Sequence, residues 1–474
     1  MSLQDFTMEE LELCFERNPV PKSGHGIIAI NYHNIANMIL QHVPMATIIE
    51  TKQICSYVKG HYVNNGEEVI HKILVTLLGP QNRENGQTCY NSHVLKEVIG
   101  IIQGLTYVEA KQFDNNLDII NCTNGLLNWR TGELKPHRPS YYSRIQLNVN
   151  YDPDAVCPNI LKVYETVLRK EDFRKALEFI GYCLYRSYPI QKAFILLGPG
   201  GTGKSHFIDT VCKMLGDDTI SSVSMHDLER DRFATSDLYC KLLNSFGDME
   251  QSTLPNVNIL KMLTSNKDVI RAQKKGEKAF EFINYAKLIF ASNKLPKVRD
   301  DTSGFYRRVE IIPFEHVFTR EEQEISEADG LFEKITSPEE LSGLLNLVLP
   351  HLNDLLERGF FHNSFTTATA KDTYKRASEP IASFVELYLD EVADVYVAKQ
   401  TIYEEFCKFC IQNGIAKERK DVLHIVPFGK ILRQCVPWYQ TAIRGPDEIN
   451  ACMWPDDNLR HPVLINTVLK PVRN

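Results

Sequence analysis

FILLGPGGTGKSHF, residues 194–207, decides the fold. Four apolar residues suited to a buried strand run into a glycine-rich loop, and the loop runs into a stretch that reads as a helix. Gly198-Pro199-Gly200-Gly201-Thr202-Gly203-Lys204-Ser205 matches G-x-x-x-x-G-K-[ST] at every fixed position, with His206 directly behind it. Glycines let successive backbone N–H groups turn inward around β and γ phosphates. Lys204 adds a point charge, and the Ser205 hydroxyl suits Mg²⁺. The following helix, SHFIDTVCKMLG, is expected to bury Phe207, Val211, Met214 and Leu215 and to aim its positive end at a nucleotide. A mere glycine turn would leave Lys204 at a helix start without a reason.

Downstream, the apolar runs AFILL, KLLNSF, AKLIFAS and RRVEIIPF alternate with helices and loops between residues 190 and 316. That alternation predicts an α/β sheet whose ligand sits at the carboxyl ends of the strands. CKLLNSFGDMEQ (240–251) carries a strand into Asp248 and Glu250. One carboxylate can hold Mg²⁺ and a second can orient an attacking water, whereas the plain alternative is an acidic turn. AKLIFASNKLP (286–296) sets Asn293 at a strand end, as a contact to the γ phosphate or lytic water or simply as a turn residue. GFYRRVEIIPF (304–314) presents Arg307 and Arg308 at the start of a strand. Such a pair either meets surface carboxylates or, in a ring of subunits, reaches the neighbour's ATP.

Upstream, HNIANMILQHV (33–43) and NSHVLKEVIGIIQGL (91–105) have helical spacing, and LDIINCTNGLLNWRTGELKPHRP (117–139) has strand signals punctuated by turns at Asn124-Gly125 and Thr131-Gly132. YDPDAVCPN (151–159) marks a boundary, followed by packed helices over 160–188. Further on, Ser337-Pro338-Glu339-Glu340 reads as a capping box with Glu340 reaching back, opening a helix that Pro350 kinks and Gly359 ends. The tail predicts helices near 381–393 and 399–413, then FGKILRQC (428–435), then strand-like pieces ending in PVLINTVLK (462–470). Three helices and a β ribbon follow the order of a winged helix.

Composition excludes several classes. At 474 residues the chain has room for roughly three domains. No apolar run approaches the ~20 residues of a membrane span, and the acidic start lacks the basic region of a signal peptide, so a cytosolic place is expected. Twelve scattered cysteines fit a reducing compartment. Cys407 and Cys410 form a lone C-x-x-C within a helical pattern, better read as packing than as zinc. A net charge of -7 confines any nucleic-acid contact to a local patch or channel.

Taken together, the motifs resemble the superfamily 3 helicases, and within them the phage, plasmid and poxvirus primase-helicases with a D5-like N-terminal domain. The resemblance rests on the phosphate loop, GDME, ILKMLTSNKDVIRAQKKGEKAFEF (259–282), LIFASNKLP and GFYRRVEIIPF. Outside these it rests on NCTNGLLNWRTGELKPHRP, YEEFCKFCIQNG and FGKIL. It implies an AAA+-like P-loop ATPase core (156–375) between an α+β D5-like domain (1–155) and a winged-helix domain (376–474). It also implies a hexameric, ATP- and Mg²⁺-dependent helicase that tracks single-stranded and forked DNA in replication of a virus, plasmid or integrated element. Lys204 and Ser205 would bind phosphate and metal, Asp248 and Glu250 would be the paired acids, Asn293 the sensor, and Arg307, with Arg308 next, the finger. Relatives carry a hairpin between acids and sensor, here holding Arg271, Lys274, Lys275 and Lys278 for DNA phosphates. A solvated charged loop is the plain alternative. Lys430 and Arg433, helped by Lys417, Arg419 and Lys420, would face duplex DNA at an origin, unless that helix only packs. Two positions depart from the pattern: Thr202 stands where many relatives have Asn, and Met249 separates acids that are usually adjacent. A separate primase or polymerase is the expected partner, because residues 1–150 lack three metal-binding acids. The competing reading is an origin-binding initiator or scaffold whose ATP binding controls assembly. A small-molecule kinase would leave Asn293 and the arginines unexplained.

Overall fold

The computed structural model describes residues 13–17, 27–81, 87–247, 258–276, 278–298, 303–413, 415–416, 418–444 and 461–469. The chain opens with the paired strands β1 (Phe15–Arg17) and β2 (Ile27–Ile30) and the helix α1 (Tyr32–His42). A sheet of β3 (Met45–Ile48), β4 (Ile54–Val58), β5 (His61–Val63) and, beyond helices α2 (Gly66–Leu78) and α3 (Ser92–Leu105), β6 (Tyr107–Val108) follows in the order β5-β4-β3-β6. Asn31 and Asn91 start α1 and α3 by accepting backbone N–H groups of the first turn. The apolar faces of the helices, with Ile35, Ile39, Ile70, Leu74, Val94 and Val98, close on one another. Next, β7 (Ile119–Cys122), β8 (Gly125–Asn128) and β9 (Glu133–Lys135) form an antiparallel meander. Its first turn is Thr123-Asn124, one residue ahead of the expected Asn124-Gly125 because Gly125 already pairs with Cys122, and its second spans 129–132, including Thr131-Gly132.

Helices α4 (Pro158–Val167) and α5 (Lys170–Cys183) lead into the central sheet. It is built of β10 (Ala193–Leu197), β11 (Ile220–Ser221), β12 (Leu243–Phe246), β15 (Lys287–Ser292) and β16 (Val309–Pro313), all parallel, in the order β11-β12-β15-β10-β16. Parallel strands need both faces covered, and every residue of β15 is buried. Between β10 and β11 runs α6 (Lys204–Leu215), which buries Phe207, Val211, Met214 and Leu215. Short α7 (Met225–Arg230) and α8 (Asn258–Leu263) flank β12. A separate hairpin, β13 (Val269–Ala272) and β14 (Phe280–Ile283), precedes β15.

The hydrophobic core does not divide at 155. Ile120, Trp129, Ile145 and Leu147 share one cluster with Tyr164, Phe179, Phe194 and Phe207, and with Leu344, Leu352 and Phe361 beyond them. Fully burying a side chain of this size contributes about 1.5–3 kcal/mol.

Short α9 (Ser303–Tyr306) directly precedes β16, and α10 (Arg320–Ala328), α11 (Leu331–Ile335) and α12 (Pro338–Arg358) follow it. Helix α12 keeps Pro350 in its interior, runs on to Arg358, and ends at Gly359 with φ 80°. Gly181 on α5 permits its close approach, since a Cβ there would come within 2.8 Å of the Val348 carbonyl oxygen.

The capping box at its start requires correction. The Ser337 hydroxyl does accept the Glu340 N–H (3.3 Å), but Glu340 does not reach back, because the Ser337 N–H already donates to the Lys334 carbonyl. The buried Glu340 carboxylate instead accepts the backbone N–H groups of Asn159 (3.1 Å) and Ile160 (3.0 Å) and the Asn159 side-chain amide (2.7 Å). It thus caps α4, satisfying donors that the first turn of any helix leaves open.

The final part contains α13 (Thr367–Ser378), α14 (Pro380–Tyr388), β17 (Leu389–Ala398), α15 (Lys399–Gln412), α16 (Ile425–Cys435), β18 (Thr441–Arg444) and β19 (His461–Leu469). The helix expected to reach 393 stops at Tyr388, and residues 389–398 pair antiparallel with β19 in a sheet ordered β17-β19-β18. Valines and a tyrosine in this stretch suit an extended ladder better than a helix. Phe384, Phe406, Phe409, Phe428, Leu432 and Leu464 form its core, in which Cys407 and Cys410 are buried free thiols. No described helix is long and apolar enough to cross a membrane. No cluster of three or more His, Cys, Asp or Glu side chains suited to a metal occurs among the described residues.

Candidate functional site

Because the central strands are all parallel, their carboxyl ends share one edge. There the chain leaves β10, and the Gly198 N–H donates to the Ser292 carbonyl of β15 (3.2 Å). It then turns through Gly201 (φ 73°) and Gly203 (φ 83°), left-handed positions that glycine takes without strain. Lys204 follows as the first residue of α6, 9% exposed, and its ammonium is held by oxygens. Nζ donates to the carbonyls of Gly198 and Pro199 (2.7 Å each), to Thr202 Oγ1 (3.3 Å) and to Asn293 Oδ1 (3.4 Å). Burial lowers its pKa from the ordinary lysine value. Ser205 and His206 are exposed at the helix start, as are Pro199 and Gly200 in the loop.

The loop has a second wall that the sequence did not announce. The Phe318 N–H donates to the Gly201 carbonyl (3.0 Å) and the Phe314 N–H to the Leu197 carbonyl (2.7 Å). A Cβ on Gly203 would come within 2.9 Å of Val167 Cγ1. These contacts join segments far apart in the chain, and no local motif marks Val167 or Phe318, while Phe314 stands in the sequence only as the end of GFYRRVEIIPF.

Asn293 stands directly after β15, exposed and beside Lys204. Strand β12 ends at Phe246 on the same edge, while Asp248 and Glu250 lie outside the described residues, as does Lys417.

Arg307 and Arg308 are not brought to this edge. Ala193 of β10 registers with Val309 and Leu197 with Pro313, so the arginines lie a strand length, about 15 Å, from the loop. The pair also splits. Arg307 is exposed, with one contact from Nη2 to Gln191 Oε1 at 3.4 Å. Arg308 is 7% exposed, and Nη1 donates to the Gly304 carbonyl (2.9 Å). Burial and then the neighbouring Arg307 charge lower its pKa, partly offset by Asp268.

Arg271, Lys274, Lys275 and Lys278 are all exposed on or beside the β13–β14 hairpin, with Arg271 opposite Glu281 across the pair. Lys430 and Arg433 are exposed on α16, whose other face buries Phe428 and Leu432.

Comparison with known proteins matches residues 36–169 to the family described as D5 N terminal like. Residues 196–308, from the loop to the arginines, match a family of unknown function (DUF5906). Among relatives, "Putative helicase L207/L206" of Acanthamoeba polyphaga mimivirus is 22% identical over 328 residues, covering 64% of this chain and 33% of that protein. "Putative helicase 184R" of Invertebrate iridescent virus 6 is 24% identical over 290 residues, covering 56% and 29%. The chain thus spans about a third of the length of these relatives. The apo C terminal region of NrS-1 superposes at a TM-score of 0.44 with 11% identity, covering 92% of this chain and 98% of that one. The molecule is a mixed α/β protein built on a parallel sheet behind a D5 N terminal like region. Its similarity is to the D5 N terminal like family over residues 36–169 and to viral proteins named putative helicases.

Proposed function

We propose that the chain is the ATP-driven motor of a ring-forming superfamily 3 DNA helicase, acting in replication of a virus, plasmid or mobile element. In this reading residues 1–155 form the D5-like domain, 156–375 the AAA+-like P-loop core and 376–474 the winged helix. The carrying observation is the split of charged groups across the sheet: Lys204 with Asn293 at the carboxyl edge, an exposed Arg307 at the other. One subunit holds only half of a hydrolysis site, which fits completion by a neighbour's arginine, and a hexamer supplies such neighbours.

The residues present fit ATP and Mg²⁺. Left-handed glycines, an ammonium among oxygen acceptors and an exposed hydroxyl at a helix N-terminus are the donor set that phosphate chemistry requires. Mg²⁺, when held by Ser205 and Asp248, neutralises charge on the triphosphate. Lys204 binds phosphate oxygen, Asp248 and Glu250 orient water, Asn293 contacts the lytic water or terminal phosphate, and Arg307 stabilises developing charge in trans.

The names of the viral relatives support helicase chemistry. An exposed basic hairpin in a chain of net charge -7 supports a local grip on single-stranded DNA. The tail's order of helix, strand, helix, helix and two strands, with its antiparallel sheet, supports a winged helix that offers Lys430 and Arg433 to duplex DNA.

The test combines ATP hydrolysis with and without single-stranded DNA, unwinding of a forked duplex, and negative-stain imaging with ATP and DNA. DNA-stimulated hydrolysis, unwinding and rings are expected. Hydrolysis without unwinding would favour the initiator or scaffold reading, and unwinding by Lys204→Ala would refute the motor.

A further inference from the structure

Away from the loop, one cluster joins three parts of the chain that the proposed function treats separately. Its centre is Tyr239, between α7 and β12. The ring stands edge-on to Phe280 (centroids 4.9 Å apart) and to Phe282 (5.5 Å), both on β14 of the basic hairpin. On its other side the phenol oxygen accepts Arg144 Nη1 at 3.0 Å. The Arg144 guanidinium carbon lies 4.8 Å from the centre of the Phe113 ring and 5.4 Å from that of Tyr239.

Arg144 is itself fixed from the N-terminal side. The buried Asp114 carboxylate accepts the backbone N–H of Arg144 (3.1 Å) and the Ser143 hydroxyl (2.9 Å), and it lies 3.7 Å from Arg144 Nε. The Asp114 carbonyl in turn accepts Arg186 Nε (3.2 Å), which ties the end of α5 to the same turn. Asp114 (φ 49°) and Cys240 (φ 60°) both adopt left-handed backbone, a strained conformation that persists only where its surroundings hold it.

We propose that Arg144 is a positioning residue for the DNA-contacting hairpin, acting through the Tyr239 hydroxyl and ring to set the angle of β14. Strand β14 is the half of the hairpin on which such a brace acts. A lone two-stranded ribbon is marginal in water, and its outward face carries exposed Val269 and Ile283, which give it no anchor. Its inward face holds the buried Ile270 and Ala272 on β13, and Phe280 and Phe282 on β14, which meet Tyr239. The assignment of DNA contact to the hairpin rests on the function proposed above, whereas the brace itself rests on geometry alone.

The test uses the full chain with Tyr239→Phe, which removes only the hydroxyl, and Arg144→Lys, which keeps charge but loses the planar fork. Amide hydrogen exchange over 269–283 is expected to speed up in both, with β10 and β15 unchanged. The single-stranded DNA concentration giving half-maximal stimulation of ATP hydrolysis is expected to rise about fivefold, the worth of one hydrogen bond, while hydrolysis without DNA stays as in the parent. Unchanged hairpin exchange in both variants overturns the brace, as does an unchanged DNA response in a stimulated enzyme. If the parent shows no DNA stimulation, the helicase reading falls and the exchange measurement alone decides the brace.

Discussion

The two edges of the central sheet differ in how they hold charge. At the carboxyl edge, Lys204 is nearly buried, yet its ammonium is met by two carbonyls, a hydroxyl and the Asn293 side chain. At the amino edge, Arg307 is exposed, with Nη2 3.4 Å from Gln191 Oε1, while Arg308 beside it is buried. The first edge gathers its charge among oxygens of the chain, and the second leaves a charge in solvent. A pair of adjacent arginines, equal in sequence, is divided by the fold into one that packs and one that stays in solvent.

The comparison can be broken most directly at the outward-facing charge. Arg307→Ala is expected to lower ATP hydrolysis by about a thousandfold, as loss of a trans-acting finger does. Hydrolysis near the parent rate would remove the amino edge from the site. Lys204→Ala is expected to cost about a hundredfold or more. Mixing it with Arg307→Ala should restore some activity, since a ring holding both variants contains interfaces with an intact Lys204 and an intact Arg307. A mixture as inactive as its components would argue against a shared site.

Smaller effects sharpen the contrast. Asn293→Ala should slow turnover about tenfold with nucleotide affinity nearly unchanged, as measured by steady-state kinetics and nucleotide titration. Arg308→Met should leave hydrolysis within a few-fold but cost about 1 kcal/mol in denaturant unfolding, the worth of its bond to the Gly304 carbonyl. A large catalytic loss there would reverse the assignment of the pair.

An effect on stability alone lies at the start of β15, where Lys287 is fully buried. Its ammonium donates to the carbonyls of Tyr185 (2.7 Å), Ser187 (3.0 Å) and Tyr285 (2.8 Å). Burial still pushes its pKa down to about 7. The unfolded chain keeps that proton up to the ordinary lysine value, so unfolding takes up a proton above about pH 7. Stability should therefore rise from there towards pH 10, by at most about 1.4 kcal/mol per unit. Urea unfolding at pH 7, 8 and 9 should show the rise in the parent and lose it in Lys287→Met, whereas equal slopes would show that the lysine stays charged.

The loop and its helix were legible in the sequence because their constraints are local: glycines where φ is positive, a lysine at the first helical position, apolar residues at helical spacing behind. Asn293 was legible as a polar residue ending an apolar strand. What failed was nonlocal. Leu389–Ala398 has Leu389, Val392 and Tyr396 at spacings that imitate a helix, and its true partner, β19, comes much later in the chain. Glu340 matched a local capping signature, yet its carboxylate went to α4, whose open donors no window around residue 340 contains. The arginine pair was legible as chemistry but not as geometry, since nothing in RR says which one a turn will bury.

The link between Glu340 and α4 also bears on the order in which the protein can be finished as it is made. Ile160 precedes its capping carboxylate by 180 residues. At ~5–20 residues per second, the ribosome needs about 10–40 s to supply it. For that interval the first turn of α4 keeps open donors and α5 lacks the α12 surface it packs on. The central core therefore closes late, when α12 emerges, and until then the nascent chain carries a half-built centre that other proteins in the cell can reach.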